Sequence, residues 1–156
     1  MKPTEFVTAY LPFAREAEKT FAVPALVALA QSALETGWAA SVAGYNFFGI
    51  RADKSWKGPV VCITTREVLQ GISQVQHGQA FRAYASPRES FLDWGRFLST
   101  MPRYKQAFNR AGDPQSVEWA KGFARAIASA GYATAPNYAD QLCLMIDSVV
   151  RRMPKA

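Results

Sequence analysis

The sequence predicts a mainly α fold of the α+β kind, in which a helical domain carries a small β-hairpin lobe. Three observations lead there. Helix signals occupy most of the chain. A β-branched, uninterrupted run occurs at "PVVCITT", residues 59–65. That run is followed by a turn candidate at Gly71 and by the alternating "QAFRAYAS", which together read as a hairpin. No repeat, low-complexity stretch or composition shift marks a second boundary, so residues 1–156 read as one domain. A chain of 156 residues with 49% hydrophobic content is large enough to bury a core without staples.

The elements follow in order. In "TEFVTAYLPFAREAEKTF" Thr4 is a candidate N-cap, and Pro12 is expected to kink or divide the helix. Pro24 suits a first helical turn and Gly37 the position past a helix end, which frames an Ala- and Leu-rich helix over Pro24–Thr36, buried on most sides. "SPRES" sets Ser86 at a cap, Pro87 at the first position and Glu89 two later, a capping box that opens a helix through Leu98. Asp113 and Pro114 open another, closed at Gly131. From Asn137 onward Tyr138, Leu142, Met145, Ile146, Val149 and Val150 recur at helical spacing and form a terminal helix. Helices plus one hairpin give a lysozyme-like plan, with room for a cleft between the two lobes.

Charge and cysteine usage narrow the function classes. Eighteen Lys and Arg against twelve Asp and Glu give a net charge of +6, which favours acidic polymers or surfaces as partners. The positive residues are scattered rather than clustered, and no nucleic-acid recognition motif accompanies them. Cys62 and Cys143 lie in apolar sequence without ligand spacing and read as buried thiols rather than a disulfide or a metal site. The single histidine, His77, falls in polar "SQVQHGQ" and reads as a hairpin or surface residue. No run approaches the length of a membrane span, and "MKPTEFVTAY" lacks the apolar segment of a secretory signal. The expectation is a protein made in the cytoplasm and exported by other means.

Glu35 stands out because "ALAQSALETGWA" is otherwise almost wholly apolar. In the last turn of its helix it meets the negative end of the helix dipole, and Leu34 and Trp38 are expected to withhold solvent; both effects raise a carboxyl pKa. An acid that keeps its proton near neutral pH is what a glycosidase needs to protonate a leaving glycosidic oxygen. Gln31, one turn earlier, is placed to hydrogen-bond and orient it. On the residues alone a second reading stays open, in which Glu35 points outward from the helix end and is solvated.

"ALAQSALETGW", "YNFFGI", "WKGPV", "FRAY", "PRY" and "GYATAPNYA" appear in register from about residue 22 to 147. In these motifs the chain resembles glycoside hydrolase family 73, the glucosaminidase domain also found in flagellar-rod peptidoglycan hydrolases. The resemblance implies that Glu35 is the catalytic acid and that the hairpin acid Glu67, in "ITTREV", activates water or steadies developing charge. It also implies that Tyr45, Asn46, Trp56 and Tyr132 line a saccharide cleft, where aromatic faces pack on sugar C–H patches, while Phe47 and Phe48 belong to packing. Two positions depart from the family pattern: Ala39 replaces a glycine after the motif tryptophan, and Ala135 replaces an aspartate after "GYAT".

The function so implied is cleavage of the β-1,4 bond between N-acetylglucosamine and N-acetylmuramic acid in peptidoglycan, with no metal or organic cofactor. A muramidase, a lytic transglycosylase and a non-catalytic peptidoglycan-binding module are the alternatives. The expected setting is an antibacterial effector delivered by type VI secretion to a rival's periplasm, with a phage endolysin as the other candidate. The expected partners are glycan strands and a periplasmic immunity protein that occludes the cleft. The free chain is expected to be a monomer that neither inserts into membranes nor binds nucleic acid.

Overall fold

The structure, a computed structural model, describes residues 1–155 apart from the side chains of Glu67 and Gln76. Helix α1 spans Pro3–Phe21 and α2 spans Ala25–Thr36. The hairpin strands are β1, Val60–Leu69, and β2, Ile72–Arg82; α3 follows over Pro87–Thr100. After a short 3-10 turn, Pro102–Tyr104, come α4 (Lys105–Phe108), α5 (Val117–Ser129) and α6 (Tyr138–Val150). This is the predicted lysozyme-like plan.

Helix α2 is the centre of the helical lobe. Nine of its twelve residues are buried, and it packs against α1, α5 and α6. Its four alanines let those neighbours approach closely. The polar residues inside it are satisfied locally: Ser32 Oγ donates to the Ala28 carbonyl at 2.7 Å and Thr36 Oγ1 to that of Ser32 at 2.7 Å. Gly37 ends the helix in the left-handed conformation, at φ 58°. Trp38 and Ala39 continue in it at φ 58° and 64°, which explains physically why a glycine suits position 39. The amide of Ala39 is tied to Thr36 Oγ1 at 2.9 Å.

Several local expectations shift. Helix α1 begins at Pro3 rather than after a Thr4 cap, and it runs unbroken through Pro12. Phe6, Val7, Leu11, Ala14 and Ala17 bury one face of it against the core, and that packing outweighs the roughly 3 kcal/mol that an internal proline costs. Pro24 is the cap of α2 rather than its first residue. Ser86 Oγ accepts from the Glu89 amide, but the returning Glu89 carboxylate accepts from Ala85 N, not from Ser86. Asp113 and Pro114 form the turn before α5, whose cap is Ser116. Cys62 is exposed rather than buried, because it lies on an outer strand of a two-stranded ribbon; both cysteines are free.

The hairpin is antiparallel, with Leu69 opposite Ile72 and Val60 opposite Arg82, and a bulge between Ile63 and Thr65. Gln70 and Gly71 turn it, both at positive φ. Its base is fixed to α3 by a buried charge pair. Arg82 Nη1 donates to Asp93 Oδ2 at 3.0 Å and Tyr84 OH donates to the same oxygen at 2.6 Å. Burial and the Asp93 charge hold the Tyr84 phenol far above the ordinary tyrosine range, so it remains a donor. The Arg82 guanidinium lies over the Trp56 ring at 4.7 Å and its Nε donates to the Arg51 carbonyl at 3.2 Å. Asp93→Ala leaves that guanidinium buried without its carboxylate. We expect a loss of about 3–5 kcal/mol in unfolding free energy, measured by urea denaturation.

Candidate functional site

Between the hairpin and the helices runs a cleft of about 930 Å³. Its floor carries Glu35 and Gly49, one wall Ile63, Thr65 and Phe81, and the other Tyr104, Tyr132 and Tyr138. At the hairpin end, Val68 N donates to Thr134 Oγ1 at 3.0 Å, so the strand tip touches the loop before α6.

A chain of hydrogen bonds places the Glu35 carboxylate, and its direction follows from what each group can do. The Trp94 indole can only donate, and it gives its Nε1 proton to Gln31 Oε1 at 2.7 Å. That fixes the amide so that Gln31 Nε2 donates to Tyr138 OH at 3.0 Å. The Tyr138 hydroxyl proton is thereby directed to Glu35 Oε1, at 2.8 Å. Burial first, and the Glu35 charge second, push the Tyr138 phenol well above its ordinary range, which keeps it a proton donor throughout the neutral region. With Oε1 committed as acceptor, a proton on the acid resides on Oε2.

That second oxygen lies beside Gly49. A Cβ built at position 49 would stand 3.1 Å from Glu35 Oε2, and Gly49 has φ 66°. Both the close approach and the backbone conformation call for glycine. Glu35 itself is exposed to the cleft. The shielding expected from Leu34 and Trp38 is not what surrounds it: both pack against the helical core, Trp38 edge-on to Phe6 at 5.5 Å. Gln31 is also corrected. It is completely buried and bonds Tyr138 instead of the acid.

The other expected site residues divide. Tyr132 lines the cleft, stacked on Tyr138 with ring centroids 6.2 Å apart, and its hydroxyl donates to the Phe48 carbonyl at 2.7 Å. Asn46 lines it too, but its side chain is spent on backbone: Nδ2 donates to the Ile50 and Arg82 carbonyls, each at 2.9 Å, and Oδ1 accepts from Phe48 N and Ile50 N. It holds the loop that presents Gly49. Trp56 donates Nε1 to the Pro59 carbonyl at 2.8 Å and packs on Tyr84 and Arg82, at the outer base of the hairpin rather than in the cleft. Tyr45 is 50% exposed and stands outside the cleft lining. Glu67 pairs with Gln74 in the hairpin, and its side chain lies outside the described residues. Phe47 and Phe48 are buried, and Phe48 stacks on Trp94 at 4.8 Å.

Sequence reading missed Tyr138 and Gly49. Tyr138 appears as an apolar repeat position of the terminal helix, although "NYA" is among the motifs that carry the resemblance. At position 135 the alanine also lines the cleft, and α6 starts without a side-chain cap bond. Among the described residues no group of three or more His, Cys, Asp or Glu is arranged to hold a metal. We expect Gly49→Ala to displace the Glu35 carboxyl. A crystal structure of the variant should show Oε2 moved away from position 49, while the thermal midpoint shifts by only the few degrees that about 1 kcal/mol of backbone strain implies.

The model of the family described as "Glucosaminidase: Mannosyl-glycoprotein endo-beta-N-acetylglucosaminidase" matches residues 11–150. The chain is 40% identical over 146 residues to the peptidoglycan hydrolase FlgJ of Vibrio parahaemolyticus, covering 90% of this chain and 45% of that protein. To FlgJ of Salmonella typhimurium it is 38% identical over 143 residues, covering 87% of this chain and 43% of that protein. The chain thus spans less than half the length of these curated relatives. Among solved structures, a mutant peptidoglycan hydrolase from Sphingomonas sp. A1 superposes with a TM-score of 0.83 at 35% identity, covering 96% of this chain and 97% of that one. A C-terminally truncated glycoside hydrolase domain of Salmonella typhimurium FlgJ gives 0.74 at 36%, covering 98% and 100%. The family match takes in Glu35, the hairpin and the α6 tyrosine together, and the chain belongs to the glucosaminidase family.

Proposed function

We propose that this chain is a peptidoglycan hydrolase that cuts the β-1,4 bond on the reducing side of N-acetylglucosamine, with Glu35 as the general acid. The observation that carries the proposal is the Glu35 carboxyl on the floor of the cleft, with Oε1 held by Tyr138 and Oε2 set beside Gly49. Oε2 delivers its proton to the leaving glycosidic oxygen as the bond breaks, and positive charge develops on the sugar ring. Glu67 on the hairpin activates water or steadies that charge. Tyr138 keeps the carboxyl in one orientation through the step, because its own proton is directed along the chain from Trp94 and Gln31. Tyr132 supplies an aromatic face to the sugar.

Digestion of purified peptidoglycan, followed by borohydride reduction and mass spectrometry, tests the reaction. Reduced N-acetylglucosamine ends are expected from the native protein, and Glu35→Gln should release them roughly 10²–10⁴-fold more slowly. Reduced muramic ends or anhydro products would assign the bond to a muramidase or a transglycosylase instead. Strands that are bound but uncut by both proteins would mark a binding module. Tyr138→Phe adds a pH test. The hydroxyl donates to the charged carboxylate, so its removal disfavours the ionised form and raises the pKa of the acid. The alkaline limb of kcat/KM, where the acid loses its proton, should move to higher pH. Stability should also fall by about 1–3 kcal/mol, because Gln31 Nε2 loses its buried acceptor.

An antibacterial role belongs to the same proposal: an effector delivered by type VI secretion, acting in the periplasm of a rival cell and blocked by an immunity protein inserted over Glu35. The open cleft, with its acid on the floor, is a site that a protein loop can fill. When directed to the periplasm by an added signal sequence, the native chain should lyse the cell and Glu35→Gln should not. Equal viability of the two strains would refute the toxic role.

A further inference from the structure

The cleft carries arginines that the acid chemistry does not use. Among the described side chains that line it, Arg51, Arg66 and Arg103 stand against Glu35 and Asp53. Asp53 is engaged locally: its Oδ1 accepts from Ser55 N at 2.9 Å and lies 4.0 Å from Arg82 Nη2. Arg51 is tied to Gln79 and lies over the Phe81 ring, and Arg66 Nη1 donates to Ser73 Oγ at 3.2 Å. Arg103 differs from both. It forms no ion pair with any described carboxylate, and its guanidinium rests on the ring of Tyr104, 4.8 Å from the centroid.

The backbone presents Arg103 firmly. It occupies the middle of the 3-10 turn Pro102–Tyr104, with the fixed φ of proline before it and a tyrosine after it that is 1% exposed. Across the cleft, Thr65 Oγ1 is a buried side-chain oxygen without a hydrogen-bond partner. An arginine on the cleft wall with no described carboxylate beside it, and an unused hydroxyl opposite, is arranged for an anionic, oxygen-rich ligand. Peptidoglycan differs from a neutral N-acetylglucosamine polymer in this respect. Every second sugar bears a lactyl ether, which either carries a free carboxylate or is joined to a peptide that does.

We infer that Arg103 is a specificity-determining residue that binds a carboxylate of the muramyl unit, by a forked contact from its guanidinium. The inference rests on the peptidoglycan reading above. It makes this cleft selective for acidic glycan over neutral glycan, and it uses part of the positive charge for recognition rather than for solubility.

The test is a cycle of protein and substrate changes. Binding of soluble glycan strands is measured in the Glu35→Gln background with Arg103, Arg103→Gln and Arg103→Lys. The strands are peptide-bearing, stripped of peptide so that the lactyl carboxylate is free, or amidated so that no carboxylate remains. Arg103→Gln should weaken binding to acidic strands about tenfold. Amidation should weaken binding by Arg103 by the same factor, and the two changes together should be no worse than either alone. Arg103→Lys should recover part of the loss, since it restores the charge without the fork. A loss that persists on stripped strands assigns the lactyl carboxylate; a loss confined to peptide-bearing strands assigns the peptide. No effect of Arg103→Gln, or losses that multiply with amidation, would overturn the inference. Hydrolysis by the otherwise unaltered chain is followed in parallel. Carboxylate-dependent binding without product release would refute the hydrolase and leave this subsite standing, and absence of binding to every strand would refute both.

Discussion

The cleft depends on a charge pair buried where the hairpin leaves the helices. Arg82 is the meeting point of three segments. Its Nη1 donates to Asp93 on α3, its Nε to the Arg51 carbonyl, and its carbonyl accepts from Asn46 Nδ2. Removing two charges from water is costly unless every lone pair and proton finds a partner. Here Asp93 Oδ2 also accepts from Tyr84 OH, and the guanidinium faces are covered by Trp56 and Phe97. The orientation of a two-stranded ribbon, which has little core of its own, is thereby specified by α3. The loop that carries Gly49 is fixed by the same residues.

A second constraint acts on the opposite side of the cleft. The acid is not isolated by apolar neighbours; it is held at the exposed end of a line of neutral donors that begins inside the core. Trp94 and Gln31 are completely buried, and each has one way to arrange its proton. The result is a carboxyl whose two oxygens are inequivalent, one accepting from a phenol and one turned to Gly49. The orientation of the carboxyl is set when the core folds, before any ligand arrives. It also explains why an amide in the middle of an Ala- and Leu-rich helix is tolerated: Gln31 is satisfied at both ends.

Much of this was legible in the chain. The helix α2 and its end at Gly37, the hairpin around Gly71, the cap at Ser86 and the apolar repeat from Tyr138 to Val150 are all local signals, and the structure places them within a few residues. Pro12 shows the limit of such signals, since the packing of Phe6, Val7 and Leu11 carries α1 straight through it. In the site, Glu35 stood out as an acid in an apolar run; Asn46 lines the cleft as expected but spends its side chain on bracing the loop, and Trp56 braces the hairpin base instead of lining the cleft.

By itself the sequence determined the elements and the one acid at the end of the central helix, because capping, turns and helical periodicity act over a few residues. Only the tertiary structure decided what that acid touches. The bonds of Trp94 to Gln31, Gln31 to Tyr138 and Tyr138 to Glu35 join residues 63, 107 and 103 positions apart. No periodicity encodes such pairings. They arise when α2 packs against α6 and the hairpin lobe is fixed to α3, and they convert an exposed glutamate into an oriented one.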